Sequence, residues 1–408
     1  MKKCFSFLFF ASLLFGFPLL LACGQEKKDF KSVAETEDTL KEHELLLGNR
    51  QFDQYLHLLE GKKIAFVGNH TSVIRGVHLV DSLLNLGFEL VKVFSPEHGF
   101  RGLADAGEKV KDGIDFKTNL PVFSLYGKNK KPTHEQLKNV DILLFDLQDV
   151  GARFYTYIST LHYVMEAAAE HDIPLVVLDR PNPNGHYVDG PILEKKYQSF
   201  VGMHPVPIVH GMSICEYARM INGEGWLEKG IRCDLEVVKC LNYQRENPYQ
   251  IEIPPSPNLP NSAAVFLYPS LCLFEGTAIS VGRGTKKPFQ QVGAPNLKGF
   301  EHTFTPQAMF GAKSPKYKGK ICYGLLFSAE DAEEIRKNGQ LKLSVLLKLY
   351  AAYPEKEQFF TSFFKLLAGT ESLQNEIVAG KTESEIRSGW EKGIADFKAM
   401  RKKYLLYP

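Results

Sequence analysis

Glu97, His98 and Arg101 are the residues best suited by type and spacing to carry out chemistry. They place a carboxylate, an imidazole and a guanidinium just after an apolar run that ends at residue 94. Pro96 restricts the backbone, and two nearby glycines permit sharp bends, so Glu97 is predicted to be held at a strand end. A carboxyl at that position, partly shielded by aromatic neighbours, could act as a general acid. An ordinary solvated turn would have the same composition.

The elements that must position this loop are short apolar runs that alternate with helical patterns. Near-continuous apolar strands alternating with helices imply a parallel sheet covered on both faces. We therefore predict an α/β fold, with a Rossmann-like parallel-sheet domain over residues 46–260 and a second, smaller α+β domain over residues 261–408. The first five predicted strands cover 63–67, 89–94, 121–125, 141–145 and 174–178.

Polar side chains follow all five of these strands. Ligands of such sheets bind outside the carboxyl ends of the strands, so these side chains are predicted to line one cleft. The first strand is not followed by a GxGxxG pattern, and the chain has no GxxxxGK[ST] phosphate loop, so no cofactor is predicted. The strand-end residues are Asn69, His70, Glu97, His98, Tyr126, Asp146, Gln148, Asp149, Asp179 and Arg180.

Composition narrows the classes of partner. The chain has 408 residues, of which 44% are hydrophobic, which is enough for two domains with a substantial core. The 49 basic and 47 acidic residues give a net charge of +2, so nucleic acid is not a predicted partner. Five cysteines beyond residue 200 form no CxxC pair, which argues against a zinc ribbon or a disulfide framework and predicts mainly buried thiols.

The N-terminus has the pattern of an export signal. Two lysines precede an apolar run over residues 5–21, and the run ends in Leu-Leu-Ala-Cys-Gly, which resembles a bacterial lipobox. We predict a lipoprotein signal peptide over residues 1–23, lipidation of Cys23 and a polar tether over residues 24–45. The body would then face the periplasm or the cell exterior, anchored to a bacterial membrane by lipid. A plain secretory signal or an anchor helix is the alternative.

Six motifs in a fixed order carry a family resemblance. Together they resemble the NamZ-type exo-β-N-acetylmuramidases, and the likeness runs from about residue 46 to the C-terminus. It implies a Rossmann-like domain with a smaller C-terminal domain against it. It also implies a cleft that releases terminal N-acetylmuramic acid from the non-reducing end of peptidoglycan fragments during cell-wall turnover and recycling. The motifs are Asn-His-Thr-Ser at 69–72, Ser-Pro-Glu-His-Gly at 95–99, Asp-Leu-Gln-Asp-Val-Gly-Ala-Arg at 146–153, Leu-Asp-Arg-Pro-Asn-Pro at 178–183, Pro-Pro-Ser-Pro-Asn at 254–258, and Glu-Gly-Thr at 275–277 with Gly-Arg-Gly-Thr at 282–285.

The resemblance assigns the catalytic glutamate of the Pro-Glu-His-Gly stretch to Glu97. Glycoside cleavage also needs a group on the other face of the sugar. Asp146, Asp149 and Asp179 all lie at neighbouring strand ends and could supply it, and Asp146 and Asp179 are the predicted catalytic residues. A carboxyl separation of about 5 Å would indicate retention, and about 6.5–9.5 Å would indicate inversion. Assistance by the substrate's own acetamido group is a third route. The sequence leaves all three open.

Muramic acid carries a lactyl carboxylate, so selectivity calls for a cation. The candidates are Arg101, Arg153, Arg180 and Arg283, each of which could instead form a structural ion pair. Tyrosines 126, 155 and 157 could stack on sugar rings, although tyrosine is also common in cores. The other predicted substrate-binding residues are Asn69, His70, His98, Tyr126, Gln148, Asp149 and Glu275.

Two other functions fit parts of the pattern. A cell-surface binding protein could hold muramyl glycans in the same cleft without hydrolysing them. A metal-dependent hydrolase could use His70, His98, Asp146 and Asp149, but no HExxH or similar spacing supports a metal site. The sequence carries no indication of oligomeric state.

Overall fold

A seven-stranded sheet organises the computed structural model, which describes residues 44–97, 99–101 and 112–408. A separate hairpin of two short strands follows the first strand. The strands of these two sheets are β1 (Ile64–Gly68), β2 (Val73–Ile74), β3 (Val77–His78), β4 (Leu90–Ser95), β5 (Gly113–Ile114), β6 (Pro121–Ser124), β7 (Ile142–Asp146), β8 (Leu175–Leu178) and β9 (Leu235–Val238).

The order across the large sheet is β5-β6-β4-β1-β7-β8-β9, and every pair is parallel except β5 with β6. The chain adds β4 and β6 on one side of β1, then returns to add β7, β8 and β9 on the other. Every residue of β1, β7 and β8 is buried, which explains their continuous apolar sequences. The reversal between β1 and β7 creates a crevice at their carboxyl ends, as in doubly wound folds.

Helices cover both faces of the sheet and dominate the C-terminal third. Ser213 and Glu216 form a capping box at the start of the helix Ile214–Gly223. The last two helices are separated near Gly389. The helices are α1 (Phe52–Leu59), α2 (Leu79–Asn85), α3 (His134–Leu137), α4 (Tyr157–Glu170), α5 (Ile214–Gly223), α6 (Ser262–Leu271), α7 (Ala329–Asn338), α8 (Leu343–Ala352), α9 (Ser362–Ala368), α10 (Ser372–Val378), α11 (Glu383–Ser388) and α12 (Glu391–Arg401).

A small antiparallel sheet lies in the C-terminal part, in the order β10 (Gln291–Ala294), β12 (Cys322–Leu326), β11 (His302–Phe304). Its buried residues and those of the helices around it share one hydrophobic core with the large sheet. The fold class is therefore as predicted: a Rossmann-like α/β part joined to a smaller α+β part. The boundary near residue 260 stays a prediction, since residues 45–408 form one compact unit.

The end of the chain is bonded into the first half. The Tyr407 hydroxyl donates to the carboxylate of Asp179, just beyond β8, and accepts from the backbone of Cys240 at 2.8 Å. The backbone of Leu406 donates to Glu216 in α5 at 2.7 Å. These contacts attach the last residues to the carboxyl end of the large sheet.

Cys215, Cys233, Cys240, Cys272 and Cys322 are buried free thiols, as predicted. No helix within the described ranges has both the length and the apolar character needed to span a membrane. The predicted signal peptide, Cys23 and nearly all of the tether lie outside the described residues.

Candidate active site

Glu97 lies just beyond β4, on a loop that bends at Gly99, whose φ of +75° favours glycine. Its carboxylate accepts a hydrogen bond from the hydroxyl of Tyr126, which follows β6. Burial and the neighbouring negative charge of Glu97 raise the pKa of Tyr126, so the phenol stays a donor. His98 lies outside the described residues. Two neighbouring strand ends thus supply a carboxyl and the donor that orients it.

Arg283, from the C-terminal part, lines the same cleft, and Glu275 is its ion-pair partner. Glu275 is in a 3-10 helix, Cys272–Gly276, and Arg283 follows in a glycine-rich turn. Arg283 donates from Nε and Nη2 to the two carboxylate oxygens at 2.6 and 3.0 Å. Both side chains are about a quarter exposed. The charge of Arg283 lowers the pKa of Tyr126, and the charge of Glu275 raises it. The cleft therefore joins strand-end residues to an ion pair from the other part of the chain.

The proline-rich stretch over 254–260 forms a wall of this cleft. Its Ser256, Asn258 and Leu259 line the cleft with Glu97 and Arg283. The hydroxyls of tyrosines 155 and 157 both donate to the carbonyl of Pro255, at 2.9 and 3.2 Å. Asn258 donates to the carbonyl of Gly311 at 2.7 Å. Tyr155 lines the cleft, whereas Tyr157 is 1% exposed and supports the wall from behind.

Asp146 and Arg180 fill the crevice between β1 and β7 instead of lining the cleft. Arg180 donates to both oxygens of Asp146 at 2.6 and 2.9 Å, and also to the carbonyl of Thr71. Asn49 donates to Asp146 at 3.0 Å. Asp146 is completely buried and Arg180 is 6% exposed. With both oxygens committed, Asp146 is placed as one half of a structural ion pair.

Asp179 is also buried away from the cleft. It accepts from the Ser213 hydroxyl at 2.7 Å and from the backbone of Cys215 at 3.0 Å, at the start of α5. Tyr407 provides a third donor. Burial raises the pKa of Asp179 to about 6. Its contacts join β8, α5 and the end of the chain, which favours a structural role over the catalytic one considered from sequence.

Asp149 and Gln148 form a buried layer below the cleft. Asp149 accepts from the backbone of Gly151 at 2.6 Å, and burial raises its pKa to about 7. Its carboxylate is 3.9 Å from Nε2 of His210, which is also buried. Gln148 donates to the carbonyls of Asp149 and Pro181, both at 2.9 Å. Neither residue lines the cleft that holds Glu97.

Arg153 and Arg101 are structural as well. Arg153 is fully buried and donates to four backbone carbonyls at 2.6–3.0 Å, two of them at the end of α9. Burial lowers its pKa to about 9. Arg101 pairs with Asp81 at 3.1 Å and with Asp115 at 2.7 Å. Of the four arginines proposed as lactyl ligands, Arg283 is the one that lines the cleft.

Asn69 and His70 support the cleft wall from below. Asn69 accepts from the backbone and hydroxyl of Thr71 and donates to the Tyr157 hydroxyl at 2.7 Å. His70 contacts the carbonyl of Pro254 at 2.9 Å through Nε2, and burial lowers its pKa. Within the described residues, His70, Asp146 and Asp149 do not form a group with the spacing of metal ligands.

Much of the cleft lining could not be recognised from the sequence. Phe154, Thr156, Tyr268 and Phe289 line it, and the last two come from α6 and the loop before β10. Helix α6 itself was missed because it begins directly after the proline-rich stretch and contains Pro269. Asn261, which caps it, was the available signal.

Two adjacent family models match the chain: exo-β-N-acetylmuramidase NamZ, N-terminal, over residues 64–263, and NamZ, C-terminal, over residues 266–407. A peptidoglycan β-N-acetylmuramidase NamZ from Bacillus subtilis strain 168 is 44% identical over 374 residues, which cover 86% of this chain and 89% of the relative.

Two crystal structures of DUF1343 family proteins from Bacteroides fragilis NCTC 9343 have the same fold. One is 47% identical, with a TM-score of 0.83, and covers 89% of this chain and 99% of its own. The other is 30% identical, with a TM-score of 0.76, and covers 90% of this chain and 100% of its own. Together with the family models, these likenesses show that the chain belongs to the NamZ family of exo-β-N-acetylmuramidases.

Proposed function

We propose that the protein is an exo-acting glycosidase that releases N-acetylmuramic acid from the non-reducing end of peptidoglycan fragments. The relative from Bacillus subtilis is named for this class of activity. The structural observation that carries the proposal is the cleft where Glu97 lies with Arg283. This arrangement provides an acid for the glycosidic oxygen and a cation for the lactyl carboxylate in one site.

Glu97 is the general acid in this proposal. Its carboxyl donates a proton to the oxygen that leaves with the rest of the glycan. The hydrogen bond from Tyr126 then stabilises the carboxylate that forms. Because Tyr126 approaches from a neighbouring strand end, the carboxyl keeps its orientation through the proton transfer.

The contacts of the other carboxylates support assistance by the acetamido group of the substrate. Asp146 and Asp179 are buried and hydrogen-bonded, so neither can reach a sugar in the cleft. Glu275 is paired with Arg283, which lines the cleft, and the balanced charge weakens Glu275 as a nucleophile or base. Its role is to orient Arg283, and the acetamido oxygen attacks the anomeric carbon as the protonated leaving oxygen departs. A water then attacks the anomeric carbon of the resulting oxazolinium and gives its proton to the carboxylate of Glu97, which frees N-acetylmuramic acid and restores the acid.

Arg283 binds the lactyl carboxylate. Glu275 uses Nε and Nη2 of the guanidinium, while the Nη1 side has further N–H groups for a second anion. The ring of Phe289 lies 4.9 Å from Cζ of Arg283 and fixes the plane of the guanidinium. Glucosamine lacks the lactyl group, so this contact favours muramides.

A pair of chromogenic substrates tests the function. We expect the full-length protein to release the chromophore from an N-acetylmuramide and to act at least tenfold more slowly on the matching N-acetylglucosaminide. If a folded protein binds the muramide, as shown by a thermal shift, yet yields no product, the chain is a binding protein and the proposal fails.

We also propose that the protein is a lipoprotein, anchored through Cys23 and facing the periplasm or the cell exterior, where it serves cell-wall recycling. The charged and apolar pattern of residues 1–23 supports this. A Cys23→Ser variant should leave the membrane fraction, and it should not incorporate a labelled fatty acid. If the variant stays membrane-bound, the lipid anchor is ruled out.

A further inference from the structure

A row of three aromatic rings includes Tyr126, the neighbour of Glu97. Tyr126, the hydrogen-bond donor to Glu97, has its ring centroid 6.3 Å from that of Phe200. Phe200 stacks in turn on Tyr163, with centroids 6.2 Å apart and planes 20° apart. All three rings are partly exposed. The cleft thus continues as an aromatic surface, which we call the aromatic strip and define as Tyr126, Phe200 and Tyr163.

Backbone hydrogen bonds hold the loop that carries Phe200 in place. Ser199 and Gly202 exchange two hydrogen bonds, at 2.8 and 3.0 Å, which close a tight turn with Phe200 inside it. The carbonyl of Phe200 accepts from the hydroxyl of Ser159 at 2.7 Å. Ser159 belongs to α4, whose N-cap residue Thr156 lines the cleft. The strip and the cleft are therefore positioned by the same helix.

Lys130 adds a positive charge to the aromatic strip. Nζ of Lys130 lies 4.6 Å from the centroid of Phe200. The next residue, Lys131, bonds to Glu166 and Glu170 of α4 at 2.8 and 2.7 Å, which fastens the loop after β6 to that helix. A cation above an aromatic ring suits a ligand that combines apolar faces with carboxylates.

A wall of the cleft itself is closed by packed aromatic rings. Tyr268 contacts Tyr155 and Phe289 edge to face, with centroids 5.8 and 5.0 Å away. These three residues are at most 7% exposed. A terminal sugar held against this wall leaves the strip as the path for the rest of the glycan.

We propose that the aromatic strip and Lys130 bind the saccharide units on the leaving-group side of the scissile bond, beyond the first unit. This inference rests on the proposed function. The pyranose faces of the glycan chain stack on Phe200 and Tyr163, and Lys130 contacts the carboxylate of the next muramyl unit. Fragments longer than a disaccharide are therefore the preferred substrates.

The test compares two substrates with the full-length protein. One is the muramyl-glucosamine disaccharide, which ends near Tyr126. The other is the corresponding tetrasaccharide, which extends over Phe200. We expect Phe200→Ala to lower kcat/KM for the tetrasaccharide about tenfold, through the loss of apolar contact, and to leave the disaccharide unchanged. Phe200→Tyr, which keeps the ring, should behave as wild type. Lys130→Gln should cost about threefold on the tetrasaccharide only.

An equal effect of Phe200→Ala on both substrates, or no effect on either, overturns the inference. If the wild-type protein cleaves neither substrate, the proposed function fails instead. Calorimetric titration with the tetrasaccharide then decides the inference separately. Weaker binding by Phe200→Ala than by Phe200→Tyr supports the strip, and equal binding overturns it.

Discussion

Arg283–Glu275 in the cleft and Arg180–Asp146 in the crevice of the sheet have the same Nε–O distance of 2.6 Å. They differ in their surroundings. The cleft pair is about a quarter exposed, whereas Asp146 is fully buried and Arg180 is 6% exposed. Arg180 also donates to Thr71, and Asp146 accepts from Asn49.

The geometry of an ion pair alone therefore does not show whether the pair has a functional role. The donors and acceptors of the crevice pair are bonded to other protein groups. The pair therefore stabilises the arrangement of β1, β7 and β8. The cleft pair keeps access to solvent, and therefore to a ligand. The comparison predicts that cleft variants lose activity and keep stability, while crevice variants lose stability first.

Glu97→Gln should have the largest effect of a cleft variant on turnover. Removal of a general acid lowers kcat by about 10²- to 10⁴-fold. The loss should be smaller on substrates with better leaving groups, which need less protonation. Steady-state kinetics on an aryl muramide series measures this, with unchanged urea unfolding as the control for folding. Near-normal turnover would remove Glu97 as the acid.

Arg180→Met, by contrast, should lower stability more than turnover. An uncompensated buried carboxylate at Asp146 costs about 3–5 kcal/mol of unfolding free energy. Urea denaturation measures the loss, and the double variant Asp146→Leu with Arg180→Met should recover part of it because no charge is left buried. If Arg180→Met has the unfolding free energy of the wild type but has lost activity, the crevice pair belongs to the active site. That result would contradict its assignment as a structural pair.

Arg283→Gln should have an intermediate effect that falls on selectivity. A hydrogen bond to a charged group contributes about 1.5–3 kcal/mol, so the preference for muramide over glucosaminide should fall about 10- to 100-fold. The control is Arg50→Gln, which removes a surface arginine whose Nη2 donates to both carboxylate oxygens of Glu252. An unchanged preference would show that another group binds the lactyl carboxylate.

Asp149→Asn should have the smallest effect, seen in the pH dependence of stability. Burial raises the pKa of Asp149 to about 7 in the folded state, so between about pH 4 and pH 7 the folded protein holds a proton that the unfolded chain has released. Stability therefore falls as pH rises through that window. The variant should lose less unfolding free energy between pH 4.5 and 7.5, by about 1 kcal/mol or more. An identical slope would contradict this.

The large sheet was predictable because its strands are buried on both faces. Residues 142–146 are all buried in β7, and such a continuous apolar run is readable without knowledge of neighbours. The placement of Glu97 at a strand end followed from the same reading. Helix α6 was not predictable in this way, since its apolar residues show little periodicity and include a proline.

The partition of polar residues between cleft and crevice could not be read from the sequence. Asp146 and Glu97 both follow apolar strands, and only the approach of Arg180 and Asn49 distinguishes them. Arg283 and Glu275 were both predicted to bind substrate, but the position of Arg283 in the same cleft as Glu97 depends on how the C-terminal part packs. That packing is set by long-range contacts, which have no local signature.

The bond between Tyr407 and Asp179 has a consequence for how the chain matures. Asp179 sits at the end of β8, more than two hundred positions before its partner. A ribosome must therefore finish almost the whole polypeptide before this carboxyl and the start of α5 acquire their last donor. Nascent chains should stay sensitive to protease around α5 until translation is nearly complete, and a stop codon placed just before Tyr407 should leave that region open.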